Sequence, residues 1–327
     1  MDIVRFVKDW TLPIAIGIGS VVYLFFALIP ALDDAAVFFT PFFDQILPMF
    51  MFLILFVTFC KVDYRKLRPE RWHFHVGAFQ VILTALITAI VVGLNLQGDS
   101  LLLMEAIITC IVAPCAAAAP VVTQKIGGRL ESITTFVFIS NFITAILIPV
   151  CFPLIENASG LHFLDAFLLI LSKVCSVLVL PLLLAYIVKH HMKRLHRLIV
   201  SVKDLSYYLW SCSLTILTGT TLKHIFHAES GIWVILAIAI LGLIICIIQF
   251  AVGRFIGHYF NAVICAGQGL GQKNTAFAIW IAYTYLNPLS SVGPGCYILW
   301  QNIINSVEIW MYRKAQCKQE GKTPEEP

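Results

Sequence analysis

The chain has 327 residues, of which 60% are hydrophobic and 12% are charged, and its formal net charge is +4. Soluble domains usually have a charged fraction of about 25%, so this composition excludes a soluble protein and indicates an integral membrane protein. The basic residues lie in short loops beside apolar segments, a pattern that membrane orientation explains and nucleic-acid binding does not. We therefore expect the lipid bilayer as a partner and no nucleic acid.

Apolar segments long enough to cross a bilayer follow one another along the chain. Because a hydrocarbon core of about 30 Å needs about 20 residues of helix, the pattern predicts ten transmembrane helices. They cover residues 10–31, 43–61, 74–95, 101–125, 131–155, 164–189, 205–224, 231–253, 257–285 and 289–312. The first is too long for a signal-peptide core and is predicted to be retained. The polar tail, 315–327, is predicted to be disordered.

The distribution of charge predicts the orientation of these helices. If the N-terminus is cytoplasmic, the cytoplasmic segments contain all of the 22 basic residues except Lys173, Lys223 and Lys273. The opposite loops contain acidic residues such as Asp99 and Glu156. By the positive-inside rule, we expect a multi-pass protein of the plasma (inner) membrane with both termini in the cytoplasm.

Ten helices divide into two halves of five, residues 1–156 and 157–314, which enter the membrane in opposite orientations. Such inverted repeats are typical of secondary transporters, whose binding sites are built from interrupted helices at matching positions of the two halves. The fourth helix of the first half contains APCAAAAP, residues 113–120, and the fourth helix of the second half contains GQGLGQKN, residues 267–274. The sequence therefore predicts two discontinuous helices that cross near the bilayer centre.

Both segments have the composition of a helix interruption. Pro114 and Pro120 each lack a backbone donor, and each glycine in the second segment weakens a helix by about 1 kcal/mol relative to alanine. Lipid cannot satisfy the backbone groups that an interruption exposes, whereas the polar side chains of GQGLGQKN can. Polar residues at membrane depth indicate a functional site, and Lys273 is the most unusual of them.

The residues of the last two predicted helices resemble the bile acid:sodium symporter family. The stretch GLGQKNTAFAIWIAYTYLNPLSSVGPGCYILWQN, 269–302, is similar to that family's broken ninth helix, the Pro-rich loop after it and the final helix. MFMFLILFVTFCKVDYRKL resembles the family's second helix and the basic loop after it. APCAAAAPVVTQKIGGRLESITTF lies where the family has its fourth-helix break.

The resemblance implies a ten-helix fold in which a panel of helices 1, 2, 6 and 7 moves against a core of helices 3–5 and 8–10. In the family, the broken helices cross in the core beside two sodium sites. Organic anions such as bile acids, pantoate or oxo-acids bind between panel and core.

The chain departs from the family where sodium would bind. Ala119 and Pro120 replace a Ser-Asn pair, and Gly269 occupies the position of an acidic residue. Lys273 replaces a glutamine, while Gln80 and Asn274 are kept. Because a carboxylate is lost and an ammonium gained, we expect degraded sodium sites in which Lys273 acts as a proton carrier or as a permanent cation.

The candidate binding residues follow from the two interruptions and the resemblance. We expect the substrate or ion to be bound by Gln80, Pro114, Ala119, Pro120, Thr123, Asn141, Gln268, Gly269, Gln272, Lys273 and Asn274. Two further acidic residues, Glu105 and Glu308, are expected at the outer and inner membrane interfaces. No catalytic residue, metal ligand or cofactor is predicted, although sodium remains possible.

The function expected from the sequence is secondary transport of a small organic anion by alternating access, without sodium coupling. One alternative is a sodium-coupled symporter of the same family, and another is a cation/proton antiporter with a related fold. A receptor or channel of the same fold is a third. A membrane-embedded enzyme is disfavoured, because the chain contains no HExxH or GxSxG motif. Oligomeric state, direction and substrate identity are left open.

Overall fold

In a computed structural model, the described residues are 11–29, 33–156, 162–202, 205–226 and 231–319, and they are almost entirely helical. The helices are α1 Thr11–Leu28, α2 Asp33–Cys60, α3 Arg71–Gly93, α4 Gly98–Val112, α5 Ala119–Lys125, α6 Leu130–Ile155, α7 Phe163–Leu178, α8 Leu180–His191, α9 Lys193–Ser201, α10 Leu205–Phe226, α11 Ile232–His258, α12 Val263–Gly271, α13 Thr275–Tyr285 and α14 Val292–Gln319. Short 3₁₀ turns lie at Tyr64–Lys66 and Pro288–Ser291.

The helices have the length and surface of a membrane protein. Within the described ranges, four segments are long and apolar enough to cross a membrane: Arg71–Gly93, Leu130–Ile155, Phe163–His191 and Ile232–His258. Large apolar side chains are exposed along several helices, as at Ile82 on α3 and Ile240 on α11, which are 65% and 58% exposed. Apolar surface of this extent is unusual for a soluble protein, so the structure agrees with a helical membrane protein.

The helices coincide with the predicted apolar spans and differ from them in detail. The predicted spans 101–125 and 257–285 are each divided into two helices, α4 with α5 and α12 with α13. The predicted span 164–189 is also divided, because α7 ends at Leu178 and α8 begins at Leu180 with a proline in its first turn. The amphipathic helix α9, in the basic loop at 190–198, was not predicted.

Three sequence predictions fall partly or wholly outside the described residues. The N-terminus predicted to be cytoplasmic is one of them, because residues 1–10 lie outside. The predicted boundary between the two halves is another, because residues 157–161 lie outside. Of the tail, residues 320–327 lie outside. Helix α14 continues to Gln319, seven residues past the predicted end of the last span at 312, so the prediction of disorder was wrong for residues 315–319.

The packing brings two groups of helices together. On one side α1 packs on α10, α10 on α2, and α2 on α7 and α8. On the other, α11 packs on α12, α14 and α4, while α3 packs on α6 and α4. The largest buried apolar cluster contains Cys115 and Ala116, between α4 and α5, and Leu270, near the end of α12. The interruptions are therefore in the protein interior, as non-helical backbone at membrane depth must be.

Candidate functional site: the paired helix interruptions

The first interruption begins at a proline. Helix α4 ends at Val112, and Ala113, which precedes Pro114, has extended backbone angles of φ −54° and ψ 140°. A residue before proline is driven out of the helical region by the proline ring, so the end of α4 follows from the sequence. Pro120 has the opposite role to the predicted one, because it lies in the first turn of α5, where a missing donor costs little.

The second interruption is shorter than the sequence suggested. Helix α12 continues through all three glycines of GQGLG to Gly271, and only residues 272–274 separate it from α13. The glycines therefore do not break the helix. They allow close packing: a Cβ atom on Gly269 would lie 2.9 Å from Phe136 and 3.2 Å from Trp72, and one on Gly267 would lie 2.7 Å from Arg254.

The two interruptions pair with each other in a short antiparallel arrangement. Cys115 and Lys273 form an isolated β-bridge. The Ala116 N–H donates to the Gln272 carbonyl at 2.9 Å, and the Asn274 N–H donates to the Pro114 carbonyl at 2.8 Å. The non-helical backbone of each interruption therefore forms hydrogen bonds with the non-helical backbone of the other.

Lys273 is buried at this pairing and points its ammonium group at the end of α4. The residue is 2% exposed. Its Nζ donates to the carbonyl oxygens of Ile111 at 2.9 Å and Ala113 at 3.1 Å. The last carbonyls of a helix carry partial negative charge and have no partner within the helix. The ammonium therefore satisfies hydrogen bonds and balances the dipole of α4.

Other side chains complete the hydrogen bonds at the end of α4. The Gln80 amide donates to Val112 at 3.0 Å and to Ala113 at 3.2 Å, and the Thr144 hydroxyl donates to Val112 at 2.7 Å. The Gln249 amide donates to the Cys110 carbonyl at 3.2 Å. Carbonyls from Cys110 to Ala113 thus each have a donor, supplied by α3, α6, α11 and the second interruption.

The neighbouring backbone groups are satisfied in a similar way on both sides. The Cys115 N–H donates to the Ser140 hydroxyl at 3.0 Å. The Lys273 N–H donates to Gln301 Oε1 at 2.9 Å, and the Gln301 amide donates back to the Lys273 carbonyl at 3.3 Å. The Tyr297 hydroxyl donates to the Gly271 carbonyl at 2.7 Å. Each interruption is therefore held by the long helix that follows it, α6 or α14.

The structure brings together five of the predicted site residues, Gln80, Pro114, Gln272, Lys273 and Asn274. Asn274 also caps α13, because its Oδ1 accepts the N–H of Phe277 at 3.3 Å. The Gln272 Oε1 is buried and has no hydrogen-bond partner in the described ranges.

The other predicted residues are buried but have different surroundings. Asn141 donates to the Val137 carbonyl of its own helix at 2.7 Å, and its Oδ1 is unpaired among the described residues. Ala119, Pro120 and Thr123 belong to the first turns of α5. Gln268 belongs to a separate cluster described below. These residues do not contact the Lys273 ammonium through any hydrogen bond.

Gln268 lies in a polar cluster with side chains of α14, whereas the neighbours of Gly269 are Phe136 and Trp72. Its amide donates to Asn305 Oδ1 at 2.9 Å and to Glu308 Oε2 at 2.8 Å. Glu308 also forms an ion pair with Arg254. The cluster thus ties α12 to α11 and α14 rather than forming part of the paired interruptions.

Sequence reasoning missed Ser140, Gln249, Tyr297 and Gln301. Gln249 is a polar residue in an apolar stretch of α11, and polarity at membrane depth is the signal by which it could have been found. Ser140 and Gln301 are next to other polar residues, Asn141 and Asn302, so nothing singles them out. No group of three or more His, Cys, Asp and Glu side chains that could hold a metal ion is found within the described residues.

Comparison with known proteins finds no family model that matches the chain and no curated protein that matches it.

Proposed function

We propose that the protein is a secondary transporter that moves a small organic anion across the membrane by alternating access, without coupling to sodium. The observation that carries this proposal is the buried Lys273 ammonium, bound to the Ile111 and Ala113 carbonyls where two interrupted helices meet. Interrupted helices of this kind form the ion and substrate sites of secondary transporters.

The internal relation between the two interruptions supports a fold of two inverted repeats, 1–156 and 157–314, with ten membrane-spanning helices. Cys115 and Lys273 face each other in the bridge. The N–H of each is accepted by a side chain of the next long helix, Ser140 for Cys115 and Gln301 for Lys273. The polarity of the loops supports cytoplasmic termini for this arrangement.

The same geometry argues against sodium. Sodium binds hard oxygen ligands, and the carbonyls of Ile111 and Ala113 are already bound to the ammonium. A carboxylate at position 269 would not fit, because Phe136 and Trp72 lie within 3.2 Å of the place where its side chain would begin. In this proposal Lys273 is a permanent cation built into the protein, and it replaces an ion that related carriers take from solution.

An apolar cavity supports a substrate site between the two groups of helices. It has a volume of about 160 Å³, and its lining includes Leu217, Thr218 and Thr221 from α10, Ile279 from α13 and Leu299 from α14. Ligand pockets usually have volumes of about 300–1,000 Å³, so the cavity would have to widen to accept a substrate. Its apolar lining suits the hydrophobic body of an organic anion. The anionic class itself rests on the family resemblance.

Transport by purified protein in liposomes tests the proposal. A bile acid, pantoate and a 2-oxo acid would be supplied as labelled substrates in sodium and in choline buffers. We expect uptake and counterflow of at least one class, at the same rate in both buffers. Uptake that depends strongly on a sodium gradient would instead indicate a sodium symporter. A pH change in the vesicles on adding sodium without any anion would indicate a cation/proton antiporter.

Two lysine variants make the transport test specific for the site. Lys273→Met removes the buried cation, and we expect it to abolish sodium-independent transport or to make transport respond to sodium. Lys173→Met removes a lysine from the exposed face of α7 and is the matched control, for which we expect unchanged uptake. Equal effects of the two substitutions would remove Lys273 from the mechanism.

A further inference from the structure

Glu105 in α4 takes no part in the paired interruptions, and its surroundings are unusual for a carboxylate. The residue is 0% exposed, although the sequence placed it at the outer membrane interface. Its Oε2 accepts the backbone N–H of Asn287 at 3.0 Å. Its Oε1 is buried and has no hydrogen-bond partner in the described part of the chain.

The group that faces Glu105 is another carboxyl group. Helix α4 packs against α3, α6, α11, α13, α14 and the turn Pro288–Ser291. From these elements, the titratable side chain that interacts with Glu105 is that of Glu156, which follows the last turn of α6. None of the ion pairs found within the described ranges involves Glu105.

Glu308 shows how this protein treats a carboxylate that remains charged. Glu308 pairs with Arg254 and accepts a hydrogen bond from Gln268 at 2.8 Å. Among the described residues, Glu105 has neither a cation nor a second donor. A buried charge with a single donor is costly, and a second carboxylate beside it adds repulsion. A proton on Oε1 would remove the charge and supply a donor toward Glu156.

We propose that Glu105 is a proton-binding site, whose buried carboxyl group holds a proton on Oε1 at neutral pH. Glu156 is half-buried, so it connects the buried Glu105 with water. Asn287, which donates to Glu105, lies two residues beyond the end of α13, the helix that begins directly after the Lys273 interruption. Protonation is thereby connected to the position of α13, and the site would couple transport to protons. The coupling role rests on the proposed function, whereas the proton on Glu105 does not.

Infrared spectroscopy of the purified protein in D₂O at neutral pH tests the site without a substrate. We expect the carbonyl stretch of a protonated carboxyl group in the wild type, its loss in Glu105→Gln, and its retention in the control variant Glu308→Gln. In Glu156→Gln the band should remain at a shifted frequency, because an amide replaces the neighbouring carboxyl group. Absence of the band from the wild type would overturn the proposal without any variant. So would a band that Glu105→Gln leaves unchanged or that Glu156→Gln does not shift.

Transport measurements separate this proposal from the proposed function. If an organic anion is transported, a proton gradient should accelerate uptake by the wild type and have no effect on Glu105→Gln. A proton gradient that drives both proteins equally would overturn the coupling role. Failure to transport any anion would count against the proposed function alone, because the infrared band does not depend on transport.

Discussion

The interruption at 113–118 and the interruption at 272–274 differ in the hydrogen-bonding groups that they contribute where they pair. The first consists of proline, cysteine and alanine, and therefore presents backbone carbonyls with almost no side-chain donors. The second contains Gln272, Lys273 and Asn274, which have polar side chains. The difference shows that the two segments are complementary, because the lysine of one supplies hydrogen bonds that the carbonyls next to the other require.

The ends of the two half-helices show the same asymmetry. Helices α4 and α12 both reach the pairing with their C-terminal ends, where helix dipoles concentrate negative charge. The end of α4 receives the Lys273 ammonium, whereas the Gly271 carbonyl at the end of α12 receives the neutral hydroxyl of Tyr297. A formal charge thus lies on one side of a nearly symmetric arrangement. Substitutions at and around the pairing can remove this asymmetry or measure its effect on stability.

Removing the charge should have the largest effect on stability. Lys273→Met keeps most of the side-chain length but leaves the Ile111 carbonyl without a donor and Ala113 with Gln80 alone. We expect a loss of roughly 2–4 kcal/mol in the free energy of unfolding, measured by chemical unfolding in detergent. Lys173→Met should be nearly neutral. Equal stability of Lys273→Met and the wild type would contradict the assigned hydrogen bonds.

The same variant should respond to sodium. If an external cation can take the place of the ammonium, sodium should raise the unfolding temperature of Lys273→Met relative to choline, by binding the folded state. The wild type should show no difference between the two salts.

Filling the close contact on α12 should have the next largest effect. Gly269→Ala places a methyl group 2.9 Å from Phe136, and we expect a loss of about 1–3 kcal/mol from overpacking. Gly93→Ala, at the end of α3, has no atom within 4 Å of the added group and is the matched control. Unfolding midpoints of the two variants provide the comparison, and equal midpoints would show that α12 can shift to make room.

Removing one neutral donor to the end of α4 should lower the free energy of unfolding by less than half as much as removing two. Gln80→Leu and Thr144→Val each remove one of the two side-chain donors to the Val112 carbonyl, so the other donor remains in each single variant. We expect about 1 kcal/mol for each substitution and an additional penalty of about 1 kcal/mol in the double variant. A double-mutant cycle of unfolding free energies measures this coupling, and simple additivity would refute it.

The smallest effect is expected at the first interruption itself. Ser140→Ala removes the acceptor of a single N–H, that of Cys115, and should cost roughly 0.5–1 kcal/mol. Gln301→Leu removes partners from both the N–H and the carbonyl of Lys273 and should cost more. The order of the two unfolding free energies is the test, and the reverse order would indicate that the first interruption depends more on its supporting helix.

Part of the site could be predicted because its causes are local. Pro114 ends α4, because its ring excludes the preceding residue, Ala113, from the helical region. Both residues are adjacent in the sequence, so this effect can be predicted from it. The prediction for the second interruption was less accurate, because the glycines of GQGLG suggested a loose helix. Their function depends on neighbours such as Phe136, Trp72 and Arg254, which are distant in sequence.

The donors around the pairing could not be chosen from the sequence. Gln249 and Tyr297 are polar residues of long helices, and nothing local indicates which groups they contact. The same holds for Glu105, which is near the start of the predicted span 101–125 and was expected at the outer membrane interface, but lies in the middle of α4. Its burial results from the packing of α4 against five other helices and the turn at Asn287.

The sequence by itself determined the class of the protein, the approximate positions of the helices and the two places where helices are interrupted, because hydrophobic length and proline geometry act over a few residues. Only the tertiary structure decided that the interruptions pair through Cys115 and Lys273, that the lysine binds carbonyls of α4, and that Glu105 is enclosed beside Glu156. These features depend on which backbone groups remain without partners after the helices pack. That pattern of unmet hydrogen bonds and uncompensated charge exists only when distant segments are brought together.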